Sequence, residues 1–142
     1  MNPTRILPDL QCSLLCEEVR QEMNGNLILI GVYHGARVPE VPVVAPRICV
    51  FNRWTSGLGQ FTETVRLIAP DQTTLLQKAE SKFALQEVTQ QATKVVVIGG
   101  LKFETEGAYY VEVLVDDVMK IRYPLVITVV PPPTPPRPTE TK

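Results

Sequence analysis

Histidine is almost missing from this chain: His34 stands alone among 142 residues. A histidine-driven general base needs an oriented nucleophile and a partner, and no G-x-S-x-G elbow or similar motif supplies them. Structural zinc needs about four ligands from cysteine, histidine and carboxylates, and the spacing here offers no such set. Surplus positive charge is lacking too. Lysine and arginine number 14 against 15 acidic residues, a net charge of −1, so nothing neutralises a phosphate backbone. No apolar run approaches the ~20 residues that span a bilayer. The opening M-N-P-T-R-I-L-P-D-L-Q-C has neither the apolar core nor the small-residue cleavage site of a secretion signal, which predicts a cytoplasmic protein.

Phosphate-binding loops are absent in the same way. Gly57-Leu58-Gly59 and Gly99-Gly100 are not followed by Lys-Ser/Thr or by a helix start, and read as turn or bulge glycines. The acidic pairs Glu17-Glu18 and Asp116-Asp117 fall short of the six or so oxygens that calcium takes. No cofactor or metal is expected, and no enzymatic activity. Cysteine is scarce and odd in number. Cys12, Cys16 and Cys49 sit in apolar strand patterns and read as reduced, buried thiols. Cys12 and Cys16, four apart on a strand, would share a face at ~13 Å and could not share a metal.

What is present is period-2 patterning. Tyr109, Val111, Val113 and Val115 fall on one face of a strand; Met119, Ile121, Tyr123, Leu125 and Ile127 fall on one face of the next. Asp116-Asp117 is the turn between them. Leu10–Tyr33 reads as a first hairpin turning at Asn24-Gly25, with a phase change near Leu14-Leu15 that predicts a bulge. Arg37–Arg47, with Pro39, Pro42 and Pro46, predicts a loop. Further strands are expected over Ile48–Trp54, Phe61–Leu67 and Leu75–Leu85. Leu76–Thr93 is also rich in helix formers, which leaves a short helical turn open around Glu87–Gln91. Val95–Ile98 reads as a short buried strand broken by Gly99-Gly100.

The domain ends near Val130. Beyond it lie six of the thirteen prolines, a composition for polyproline II and a disordered tail. The organisation expected is a lead-in over 1–9, a sandwich over 10–130 and the tail over 131–142. Within the tail, Pro132, Pro135 and Arg137 form P-x-x-P-x-R, a pattern that SH3-type grooves read. Trp54, the only tryptophan, is a second candidate for partner contact, with core packing as the plainer reading.

Two stretches carry a family resemblance. L-L-C-E-E-V-R-Q-E-M-N-G-N-L-I-L-I-G-V-Y (Leu14 to Tyr33) and G-L-K-F-E-T-E-G-A-Y-Y-V-E-V-L-V-D-D (Gly100 to Asp117) resemble a family of small uncharacterised bacterial proteins, a numbered domain of unknown function. The resemblance covers about residues 10–130. It departs from the family at Asp117-Val118, where the pattern has Asp-Gly. It implies an immunoglobulin-like sandwich and brings no catalytic or binding residues. Gly107-Ala108-Tyr109 also looks like a tyrosine corner.

The expectation is therefore an all-β, antiparallel, immunoglobulin-like sandwich of about seven or eight strands. It should serve as a non-catalytic binding or assembly module, through a protein partner or self-association, without nucleic acid or membrane. A small-ligand-binding sandwich is the alternative.

Overall fold

Alternation of apolar and polar side chains becomes nine strands and no helix in the computed structural model, which describes residues 4–131. The strands are β1 (Asp9–Gln21), β2 (Leu27–Tyr33), β3 (Gly35–Val38), β4 (Val43–Thr55), β5 (Gly59–Ile68), β6 (Leu75–Leu85), β7 (Ala92–Phe103), β8 (Gly107–Val115) and β9 (Val118–Val129). They form a four-stranded sheet, β2-β1-β4-β7, and a five-stranded sheet, β3-β9-β8-β5-β6. Between them lies one core, including Leu15, Ile48, Val50 and Trp54 from the first sheet and Phe61, Val65, Val111, Val113 and Leu125 from the second.

The last hairpin follows the pattern closely. Tyr109, Val111, Val113 and Val115 are all buried. Asp116 and Asp117 both take positive φ (46° and 66°), as a two-residue turn of type I′ requires, and aspartate tolerates that region better than most residues. Asp116 also ties this turn to β5: its N–H donates to Thr62 O and its Oδ1 accepts from Thr62 N–H, both at 2.9 Å. Tyr109 makes the corner bond, donating its hydroxyl proton to Thr105 O at 2.7 Å. Met119 departs from its expected face. A bulge at Lys120 sets Met119 opposite Leu114 while Ile121 stays opposite Val113, and Met119 ends up exposed.

Other expectations need correction for identifiable reasons. The proline-rich loop shrinks to residues 39–42. Gly35–Val38 runs parallel to β9, so the pairing is not purely antiparallel. Pro46 lies inside β4, at a point where β4 has a neighbour on one side only, since β1 joins at Cys49. Asn24-Gly25 lies in the first hairpin without forming a two-residue turn. Gly25 N–H closes on Glu22 O (2.9 Å), Glu22 N–H donates to Asn26 O, and only Gly25 of the two has positive φ. The bulge of β1 lies between Leu10 and Cys12 rather than at Leu14-Leu15. Residues 86–91 form a turn rather than helix, Gln86 N–H donating to Gln90 Oε1 (2.7 Å). Gly99-Gly100 does not end its strand; β7 continues to Phe103.

Two paired kinks explain much of this. On β7, Ile98 faces the core, yet Leu101 and Phe103 do so beyond Gly100, which sits at φ 64°. On β4 the same change of phase occurs across Pro46, from Val43 and Ala45 to Ile48 and Val50. Both strands shift together, so their register is kept on either side of the Pro46–Gly100 position. A second such position joins Glu17 of β1 to Gly31 of β2, where Gly31 has φ 67°. One left-handed residue exchanges the two faces of a strand. That second kink builds the feature described next.

Candidate functional site

Outward-facing side chains of the four-stranded sheet line up in rows across the register. One row is Val97–Cys49–Cys16–Val32; the next is Val95–Phe51–Leu14; the third is Thr93–Arg53–Cys12. The first two rows are apolar throughout. Their central members are buried, while Val97 (58%), Val32 (53%), Val95 (41%) and Leu14 (38%) remain exposed at the flanks. The outer face of the other sheet is different in kind. Its matching row is Arg66–Glu112–Arg122, with ion-pair distances of 2.9 and 3.7 Å. An exposed apolar patch is the informative departure on a water-facing surface.

Past the Glu17–Gly31 kink, the β1–β2 hairpin forms an arm that curls over this face. Leu27, Leu29 and Gln21 of the arm line one open cleft of about 890 Å³ together with Leu14, Phe51 and Val95 of the sheet. Arg53 spans the far end of its floor, donating Nε–H to Thr93 Oγ1 (3.1 Å) with its guanidinium over the Phe51 ring at 5.5 Å. Met23, at the tip of the arm, is fully exposed. The arm is held at its root by Glu17, whose carbonyl accepts from Arg47 Nη2 (2.9 Å) and from the Cys49 thiol (3.6 Å).

The edge strands of the two sheets also differ. β6 alternates Lys78, Glu80 and Lys82 along its length, and β3 is only four residues long; both devices discourage pairing with a further strand. β7 is twelve residues long and carries no charge from Val95 to Leu101. Lys94 does not guard it, because its Nζ turns across to Lys82 O at 3.2 Å.

The residues singled out from sequence are scattered. Trp54 has no exposed surface to offer a partner: it is 0% accessible, stacks on Phe83 with centroids 5.5 Å apart, and donates Nε1–H to Glu63 Oε2 at 2.6 Å. Pro132, Pro135 and Arg137 lie outside the described residues. His34 is an exposed residue between β2 and β3. Cys16 and Cys49 are buried and opposite each other, whereas Cys12 is only half-buried. Burial pushes the Cys16 thiol up, reinforced by Cys49 beside it. No group of three or more histidine, cysteine or carboxylate side chains among the described residues could hold a metal ion. No helix there is long and apolar enough to cross a membrane.

A family model spans residues 11–128, from the β1 bulge to the end of β9. The chain belongs to DUF6941, a family of unknown function. Comparison with curated proteins gives no match. The DUF6941 match takes in both kinks, the arm and the whole β7 edge, so the candidate surface lies within the family domain. Sequence reading missed that surface. The signal was the period-2 apolar pattern of Cys12, Leu14 and Cys16, which belongs to the outer face and not the core. Glu63 and Asn52 were missed as well, although each falls in phase with inward apolar neighbours, Phe61 and Val65 for one, Val50 and Trp54 for the other.

Proposed function

We propose that this chain is a non-catalytic binding module that engages another polypeptide along the β7 edge and the apolar rows beside it. The carrying observation is the contrast between edges. β6 and β3 are blunted, and β2, also uncharged, is seven residues long and broken in phase at Gly31. β7 runs for twelve residues, uncharged from Val95 to Leu101 and flanked by exposed valines. An incoming extended segment would gain backbone hydrogen bonds along β7 and side-chain contacts with Val95 and Val97, the mode of strand addition. The strand placement supports an immunoglobulin-like kinship. β5, β8 and β9 lie side by side as the C, F and G strands of that fold do, β4 pairs β7 as B pairs E, and Tyr109 stands at the start of the F-like strand. Three free thiols fit a reducing compartment such as the cytoplasm.

Site-specific photo-crosslinking tests the reading. A crosslinker at Val97 should trap a defined protein adduct in cells that express the chain, or a second copy of itself, while one at Lys78 on β6 should not. Mass photometry of the purified protein separates these two partners. Equal labelling at both positions, or none at Val97, would remove the β7 edge from the proposal.

A further inference from the structure

The two sheets part at the end of the sandwich where β2 passes into β3, and the gap is a separate pocket of about 360 Å³. That volume lies within the range of ~300–1,000 Å³ typical of small-molecule sites. Core side chains form its floor: Ile48, Phe103, Leu125 and Ile127. Ala36 and Ala45 leave the space, because each stands where a larger side chain would close it. The wall is therefore apolar and already built from well-packed residues, so opening it requires no rearrangement.

Polar groups gather on one side only. Tyr33 and Arg47 both line the pocket. Burial, with the nearby Cys49, Cys16 and Glu17, pushes the Tyr33 hydroxyl up to about 12, so it is a proton donor at neutral pH. Arg47 gives one N–H to Glu17 O, and its guanidinium has further donors to offer. No carboxylate among the described residues forms an ion pair with Arg47. The Glu17 carboxylate, also at the rim, lies across Gly31. An apolar floor beneath two donors, one of them cationic, matches a specific kind of molecule.

We propose that this pocket binds a small, largely apolar carboxylate, with the tail against Ile48, Phe103 and Leu125 and the carboxylate accepting from Arg47 and Tyr33. This is independent of the β7 surface, whose exposed Val95 and Val97 do not line the pocket, although Phe103 at the end of β7 does.

Calorimetric titration with hexanoate, hexanol and acetate tests it on the full chain. Hexanoate should bind, and both hexanol (no charge) and acetate (no tail) should bind at least about tenfold more weakly. Arg47→Gln should weaken hexanoate by about tenfold. Glu17→Gln should tighten it by removing the like charge at the rim. Ala45→Leu should block the pocket, abolishing hexanoate binding while the thermal transition stays as sharp as in the wild type. If Ala45→Leu fails to fold, Ala36→Leu makes the same test from the other wall. Absence of saturable hexanoate binding at millimolar concentration would overturn the proposal, as would equal binding of hexanol or indifference to Arg47→Gln.

Discussion

Tyr109 shows what a single side chain contributes to this fold. Its ring packs edge-on against Phe103 with centroids 4.8 Å apart, and its hydroxyl reaches back to Thr105 O. Tyr109→Phe keeps the ring and leaves that carbonyl without its donor, so it should cost about 1 kcal/mol in urea unfolding. Tyr110→Phe should cost less. Tyr110 lies on the other face, and the Arg122 guanidinium 4.1 Å from its ring centroid would remain over a phenylalanine. The reverse order would mean that the strand is slipped by one residue. Both roles were legible from Gly107-Ala108-Tyr109 and the alternation after it. Met119 was not, because a bulge is a change in count on one strand that no period-2 pattern marks. Trp54 was ambiguous for a different reason: only the Glu63 partner on the other sheet explains how its N–H can be buried. Thiol chemistry also separates residue by residue. A thiol reagent should modify half-buried Cys12 first, and Cys16 and Cys49 only on unfolding. Rapid native labelling of Cys16 would show that the face under the arm opens.

Elements in this protein are shaped by where the strands change face. Sequence reading found the hairpin arms because alternation survives within each half of a strand. It misjudged β7 because Gly99-Gly100 looks like an end signal when only one strand is in view. The continuation depends on Pro46 of β4 shifting phase at the matching position, a long-range coincidence that local propensity does not record. The two kinks make different demands. At Gly100 a Cβ would meet nothing within 4 Å, so Gly100→Ala should cost only the left-handed backbone penalty of about 1–2 kcal/mol. At Gly31 the same penalty applies, and a Cβ would also fall 2.7 Å from the Glu17 carboxyl carbon. Gly31→Ala should therefore cost more than Gly100→Ala. The excess should vanish when Glu17→Ala is combined with it, a coupling that a double-mutant cycle reads directly. Equal costs without Glu17→Ala would mean that the Glu17 side chain swings away freely when a Cβ is placed at Gly31.

At the scale of the whole molecule, the two sheets meet through apolar packing and very few polar bonds. Ser13 and Tyr123 share one, at 2.9 Å; Trp54 and Glu63 share a second in the core, at 2.6 Å; and Lys94 reaches Lys82 O across the edge at 3.2 Å. The second carries a titratable group into the interior. Glu63 is almost inaccessible, and its Oε1, both polar atoms of the Asn52 amide and the Ser81 hydroxyl are buried without hydrogen-bond partners among the described residues. Loss of solvation is the main cause that raises the Glu63 carboxyl above its ordinary value of 4.5, opposed by its bond to Trp54 and by nearby Asn52 and Lys94. A raised acid binds its proton more tightly folded than unfolded. From this group, stability is therefore greatest at low pH and falls as pH rises from about 4.5 through the folded-state value. Glu63→Gln keeps an oxygen to accept from Trp54 and removes the charge. The variant should melt higher than wild type at neutral pH, and the difference should shrink steadily as the pH is lowered toward 4.5. Melting curves of the two proteins across that range decide the matter. A variant that melts lower at neutral pH would mean that the carboxylate is ionised and well held, with water or Lys94 completing the bonds its Oε1 lacks, and that the charge itself helps to join the sheets.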